Sequence, residues 1–92
     1  MPILSTHVTL GTAAPVVIAG GDNMPQEVFI HNEDASQNTE AFIGNENVTA
    51  GNGLHLNSGV TIQMTLGPND ILWGIAGQGA PVLSILQVQK KD

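Results

Sequence analysis

The segment of residues 60–76, VTIQMTLGPNDILWGIA, decides the fold that the sequence predicts. Apolar and polar residues alternate from Val60 to Leu66, as expected for a β-strand that buries one face. Residues 67–70, Gly-Pro-Asn-Asp, have the composition of a tight turn, in which Pro68 suits the second position and Asn69 the third. Apolar residues resume directly after the turn and continue to Ala76. The segment therefore predicts two strands joined by a four-residue turn.

These two strands are in register if they pair across the turn as a hairpin. The pairing places apolar residues opposite one another on one face: Leu66 with Ile71, Met64 with Trp73, and Ile62 with Ile75. A shift of one residue would move the two apolar sets to opposite faces. The hairpin is thus predicted with Trp73 on its buried face. A second hairpin, across residues 77–80, would place Trp73 opposite Ser84.

Six shorter segments with strand character flank this hairpin, and clusters of Gly, Pro, Asn and Ser separate them. They span residues 4–10, 15–18, 26–31, 40–44, 54–56 and 81–88. The pair Asn52-Gly53 suits a type I′ turn. Helices are disfavoured because 11 Gly and 5 Pro are scattered along the chain and no segment of a dozen residues has a 3.6-residue period.

The predicted fold class is therefore all-β. We expect one domain over residues 1–92, a compact antiparallel β-sandwich, jelly-roll-like, with seven or eight short strands. Residues 1–9 would form an N-terminal arm or an edge strand, and residues 89–92 a polar tail.

The distribution of charge excludes several classes of partner. Both basic residues, Lys90 and Lys91, lie in the last three positions, so residues 1–89 hold seven acidic groups and no Lys or Arg. Binding to nucleic acids, anionic membrane surfaces and phosphate ligands relies on such cations, so the sequence disfavours all three. The absence of Cys excludes a disulfide scaffold and thiolate zinc sites. No apolar run approaches the length of a spanning helix and no signal-peptide pattern opens the chain, so we expect no membrane crossing by that route.

A second apolar face is predicted opposite the Trp73 side of the last two strands. It consists of Leu72, Gly74, Ala76, Leu83 and Ile85. An antiparallel sheet in a small sandwich normally exposes one face to water, so either another layer or another subunit must cover this one. We expect another subunit, which makes these five residues the predicted oligomer interface.

Candidate chemical sites are weak. The histidines lie on three predicted strands without a short metal-ligand spacing: His7, His31 and His55. Four acidic residues outside any calcium-loop pattern are Asp22, Glu33, Asp34 and Asp70. Four serines lack an elbow motif and a nearby cation: Ser5, Ser36, Ser58 and Ser84. Trp73 is expected in the core rather than on a sugar. We therefore predict no catalytic residue, metal or cofactor.

Residues 42–86 resemble a pattern found in small structural proteins of tailed bacteriophages. Its elements are an aliphatic-Gly pair, a Val-Thr with a following Asn-Gly, a Pro/His-Leu, an x-Gly before an alternating strand, a Gly-x-x-Asp turn, a Leu-aromatic-small-Ile-Ala strand, and a Gly-containing turn into the final strand. In this chain they are Ile43-Gly44, Val48-Thr49, Asn52-Gly53, His55-Leu56, Ser58-Gly59, residues 67–70, residues 72–76, and Gly79 ahead of Val82. The resemblance covers roughly half of the chain. It implies a β-sandwich or jelly-roll-like virion protein, often a trimer.

The expected function is that of a non-enzymatic capsid decoration, or cement, protein that binds the outside of the assembled capsid and stabilises it. Its partners would be itself, as a homotrimer, and the major capsid protein or another virion protein. It would be made in the host cytoplasm and reside on the capsid surface. Alternatives are a head fibre, collar, tail or baseplate adaptor, and a carbohydrate-binding β-sandwich module. Ile3 and Leu4 are the predicted contact with the neighbouring subunit or the capsid.

Overall fold

The computed structural model of the chain describes residues 3–21, 23–33 and 39–89. Eight β-strands form within these ranges, and the described residues contain no helix, hence none that could span a lipid bilayer. The strands are β1 (Ile3–Thr9), β2 (Val16–Gly20), β3 (Gln26–Asn32), β4 (Glu40–Gly44), β5 (Leu54–Leu56), β6 (Thr61–Leu66), β7 (Ile71–Gln78) and β8 (Val82–Gln89). The all-β prediction is thus confirmed. Gln89 belongs to β8 rather than to a polar tail, and residues 90–92 lie outside the described residues.

Two four-stranded antiparallel sheets pack face to face. Sheet A has the strand order β1-β8-β3-β6, and sheet B has the order β2-β7-β4-β5. Four antiparallel pairs are nested within one another along the chain: β1–β8, β2–β7, β3–β6 and β4–β5. This order is that of an eight-stranded jelly roll, one of the β-sandwich topologies.

The predicted hairpins around Trp73 are wrong, although the strands themselves are confirmed. β6 pairs with β3, so Leu66 lies opposite Gln26, whereas β7 pairs with β2 and β4 in the other sheet. β7 and β8 likewise lie in different sheets. Alternating hydrophobicity assigns side chains to faces but does not say which sheet a strand joins.

The turn at residues 67–70 forms as predicted but connects the two sheets. Asp70 N–H donates to the carbonyl of Gly67 at 3.1 Å, and Asp70 Oδ2 accepts from Gly67 N–H at 2.9 Å. Asn69 has a φ of 67°, in the left-handed region that asparagine tolerates at the third position of a turn. The expected type I′ turn at Asn52-Gly53 does not form, since neither residue has a positive φ. The longer loop of residues 45–53 joins β4 and β5 instead.

The core lies between the two sheets. Leu10, directly after β1, belongs to it. Its other aliphatic side chains come from strands of both sheets: Ile18, Ala19, Val28, Ile30, Ala41, Ile43, Leu56, Leu66, Leu72, Ala76, Leu83 and Ile85. Val8, Ile62 and Met64 pack against the margins of this cluster. No aromatic ring belongs to it, which agrees with a chain that has one Trp and two Phe.

Buried amide side chains enter the core from sheet A. Asn32 Nδ2 donates to the carbonyl of Leu56 at 3.0 Å, and Gln87 Oε1 accepts from Gly20 N–H at 3.0 Å. Each of these bonds links a strand of sheet A to a strand of sheet B. Because burying an amide without a partner costs free energy, these contacts fix the relative position of the two layers.

Candidate functional site

The five residues of the predicted oligomer interface lie inside the sandwich. Leu72, Gly74 and Ala76 on β7 face Leu83 and Ile85 on β8 across the core, and all five are buried within the chain. The expectation that another subunit covers this face is therefore corrected, because the opposite sheet of the same chain covers it. The small residues on β7 allow the close approach: a Cβ at Gly74 would lie 3.1 Å from Leu10 Cδ2.

Trp73 consequently lies on the outer face of sheet B, where it is only partly buried. Val17 is its direct neighbour on β2, and Ile71 precedes it by two residues on the same face of β7. Val17 and Ile71 are 49% and 45% exposed. We call these three residues the tryptophan patch. The expectation that Trp73 fills the core is wrong, since the core side of β7 carries its neighbours.

Part of the outer face of sheet B is covered by the chain itself. Val48, in the loop of residues 45–53, is buried directly over Gly44 of β4. Phe42 stacks on His55 with ring centroids 4.8 Å apart. Side chains brace the loop: Asn52 Oδ1 accepts from Thr49 N–H at 2.8 Å, and Asn45 Oδ1 from Asn47 N–H at 2.9 Å. The tryptophan patch is thus the open apolar part of this face at its β2 side, and exposed His55 lies at the β5 side.

A row of polar side chains crosses the outer face of sheet A. It runs over all four strands in register: His7, Ser84, His31 and Thr61. We call it the histidine row. Glu33 lies at its β1 side, where Glu33 Oε2 is 3.3 Å from His7 Nε2 and accepts a hydrogen bond from Ser84 Oγ. His31 Nδ1 is 2.7 Å from Thr61 Oγ1. Phe29 and Leu86, together with His7, His31 and Ser84 of the row, help to line a concavity of about 330 Å³.

The geometry of the histidine row is that of a hydrogen-bonding surface. Ser84 donates to a carboxylate, whereas nucleophilic activation of serine uses a histidine that a carboxylate orients. Among the described residues, no three His, Asp or Glu side chains are arranged to hold a metal ion. His55 lies on the other sheet, so the three histidines do not converge. Asp70 is a turn residue, as predicted, and Asp22, Asp34 and Ser36 lie outside the described residues.

The N-terminal segment is an edge strand of sheet A, one of the two predicted alternatives. β1 pairs with β8 from Ile3 opposite Val88 to Thr9 opposite Val82. Ile3 and Leu4 are 62% and 54% exposed at its beginning. No described strand pairs with the other edge of β1, so its backbone groups remain open to a partner.

Sequence reasoning did not find the histidine row. Each of its residues sits in a predicted strand, but the row exists only through the registers that join β1, β8, β3 and β6.

Comparison of the chain with protein-family models, with curated proteins and with solved structures finds no match.

Proposed function

We propose that the protein is a non-enzymatic structural component of a bacteriophage virion that binds the outside of the assembled capsid as a homotrimer and stabilises it. The observation that carries the proposal is the tryptophan patch, where a partly exposed aromatic ring lies beside exposed Val17 and Ile71. Cores of protein interfaces are enriched in aromatic residues and depleted of charge. The resemblance of residues 42–86 to small phage structural proteins supports the same assignment.

The charge of the chain defines the surface that it would contact. Seven acidic groups and no Lys or Arg precede Lys90. We expect the major capsid protein, or another virion protein, to offer an apolar pocket for Trp73 with a basic rim. Association should slow as salt is added, because screening weakens the attraction between the two surfaces.

Stabilisation would follow from mass action. A protein that binds assembled capsomers, but not the dissociated ones, stabilises the shell by about 2.7 kcal/mol per site at a free concentration of roughly one hundred times Kd. A homotrimer would present three patches at once, which raises the effective affinity without any new contact.

Co-sedimentation with capsids that lack this protein tests the proposal. We expect wild-type protein to sediment with the shells and to raise the temperature at which they disassemble. Trp73→Ala should weaken binding by about thirtyfold, the loss expected for an aromatic residue at the centre of an interface. Leu86→Ala, which removes an exposed apolar side chain from the outer face of sheet A, is the matched control and should bind normally. Absence of binding by the wild type, or equal binding by both variants, would contradict the proposal.

Electron microscopy of particles carrying labelled protein separates decoration from the related virion roles. A decoration protein covers the shell in many copies, whereas a collar, tail or baseplate adaptor forms a single ring and a head fibre projects from isolated points. A single ring would replace the decoration role with that of an adaptor.

The position of Trp73 on the outer face of sheet B also favours a second candidate, a carbohydrate-binding module, because an aromatic face can stack on a sugar ring. Glycan-array binding by the wild type would support it. Trp73→Leu distinguishes the two candidates: it keeps apolar area for a protein pocket but removes the aromatic face. Glycan binding lost in this variant, with capsid binding absent throughout, would favour the carbohydrate module.

A further inference from the structure

Sheet A ends in two open strands, β1 and β6, that lack the usual protection of sheet edges. Their sequences, ILSTHVT and TIQMTL, contain no charged residue and no proline. Natural proteins shield edges with lysines, prolines, bulges or very short strands. Sheet B follows this rule: β2 is irregular between Val17 and Ala19, and β5 has three residues. The contrast marks the edges of sheet A as pairing surfaces.

The directions of the strands allow one copy of the chain to extend the sheet of another. Neighbouring strands in β1-β8-β3-β6 are all antiparallel, so β1 and β6 run in opposite directions. We propose that copies of this chain associate head to tail, with β1 of one copy pairing antiparallel with β6 of the next. The inference names the subunit contact of the proposed homotrimer and rests on that part of the proposed function, but not on capsid binding.

Backbone groups on both edges are positioned for this pairing. Leu10 N–H donates to the carbonyl of Pro81, in the register that pairs β1 with β8. Because hydrogen-bonded and non-hydrogen-bonded pairs alternate, Ser5, His7 and Thr9 direct their N–H and C=O groups to the open edge. Asn32 N–H donates to the carbonyl of Val60, so the same alternation leaves Thr61, Gln63 and Thr65 open on β6.

One register joins these groups and also matches the side chains. With Ser5 opposite Thr65 of the next copy, His7 lies opposite Gln63 and Thr9 opposite Thr61. The alternate residues then form pairs on the core side: Leu4 with Leu66, Thr6 with Met64, and Val8 with Ile62. Half-exposed Leu4 gains an apolar neighbour, and polar residues meet polar residues on the outer face.

Head-to-tail contact is the type that a trimer requires. A contact between two different surfaces generates a closed ring when the rotation between copies closes, whereas a contact of one surface with itself stops at a dimer. Sheet A offers two different open edges. The acidic body would repel a second copy over most of its surface, so uncharged edges are also where two copies approach at least electrostatic cost.

Engineered thiols test the contact directly, because the chain has no cysteine of its own. Opposite residues of a hydrogen-bonded antiparallel pair have Cα atoms about 5.5 Å apart, within the range of a disulfide. We expect mixed Ser5→Cys and Thr65→Cys proteins to form a disulfide-linked heterodimer on oxidation, while each alone stays uncross-linked. The double variant should give covalent species that end at the trimer. Ser5→Cys with Gln63→Cys, displaced by two residues, is the register control and should cross-link several-fold less.

Three results would overturn the inference. Efficient homodimers of Ser5→Cys alone would indicate that β1 pairs with itself. If the control pair cross-linked as efficiently as Ser5→Cys with Thr65→Cys, the two strands would not pair in the proposed register. The third result has two parts. Light scattering at micromolar concentration would give the mass of a single chain for the wild type, and the mixed cysteine variants would form no heterodimer. The proposed contact would then not exist.

Proline variants provide an independent readout. Ser5→Pro and Gln63→Pro each remove an N–H that faces an open edge, so we expect the fold to persist while the mass falls threefold. Thr6→Pro removes an N–H that faces β8, and should instead lower the melting temperature. Ser5→Pro and Gln63→Pro proteins that stay trimeric would overturn the inference. A trimeric wild-type protein that does not bind capsids, together with the expected cross-linking of the cysteine variants, would support the subunit contact and exclude the capsid role.

Discussion

Gly20 is the residue at which the backbone of β2 meets the turn of residues 67–70. Its φ is +96°, and a Cβ at this position would overlap the carbonyl oxygen of Asp70. The neighbouring Gly21 N–H donates to that same oxygen at 2.8 Å, so the turn cannot move away without losing a hydrogen bond.

Gly20→Ala is therefore predicted to lower the free energy of unfolding by about 2 kcal/mol or more, since the left-handed conformation alone costs roughly 1–2 kcal/mol for a residue with a Cβ. Urea denaturation followed by circular dichroism measures the loss. Gly11→Ala is the matched control, because nothing lies within 4 Å of its added Cβ and its φ is not positive. Equal stability of the two variants would contradict this account of Gly20.

Leu83 and Leu86 lie on opposite faces of β8, Leu83 in the core and Leu86 on the outer face of sheet A. Leu83 is 0% exposed and Leu86 is 37% exposed. We predict that Leu83→Asp abolishes the cooperative fold, because even Leu→Ala in a core costs about 2–5 kcal/mol and a buried carboxylate adds to this. Leu86→Asp should stay folded. Thermal melts of both variants measure the difference, and a folded Leu83→Asp protein would return this face to an intermolecular role.

At the scale of elements, Asn69 shows how the turn between β6 and β7 depends on one backbone conformation. Its φ of 67° is the single positive φ outside glycine in residues 3–21, 23–33 and 39–89. Asn69→Gly should leave the free energy of unfolding within about 0.5 kcal/mol, whereas Asn69→Val should lower it by about 1–2 kcal/mol. Chemical denaturation compares the two. A Val variant as stable as the Gly variant would mean that the turn adopts another conformation at little cost.

The same turn explains what the sequence could predict and what it could not. Alternation and turn residues located all eight strands, with β4 and β5 at their observed bounds. A four-residue turn with Pro68 and Asn69, however, suits a connection between two sheets as well as a hairpin within one. The local sequence therefore does not settle which strands pair.

The prediction of which face of β7 points into the core was wrong for a related physical reason. Both faces of β7 are apolar, and the largest side chain, Trp73, favoured the wrong one. The informative residues were the small ones, Gly74 and Ala76, because Leu10 and Ile18 from the rest of the chain fill the space beside Gly74. The histidine row and the open edges of sheet A depend on long-range registers, which no local pattern contains.

At the scale of the whole molecule, the nested strand pairs bring the two ends of the described chain together. Ile3 lies opposite Val88 on adjacent strands of sheet A. We predict that a circular permutant joined here through a short glycine linker, and opened between exposed Thr12 and Ala13, folds with a melting temperature within a few degrees of the parent. A permutant opened between Ile85 and Leu86, inside a central strand, should not fold. Circular dichroism and thermal melts distinguish them, and two equally stable permutants would contradict the assigned topology.

The central position of β8 in sheet A has a consequence for synthesis. Of the eight strands, β8 is translated last, yet it separates β1 from β3 and supplies Leu83 and Ile85 to the core. At about 5–20 residues per second, translation of the preceding strands leaves them for seconds without their common neighbour. Nested, non-local pairing of this kind is also slow to form once β8 has been translated. Folding of the sandwich is therefore expected to wait for β8, so a chain terminated before β8 would never present a finished sheet A to other copies.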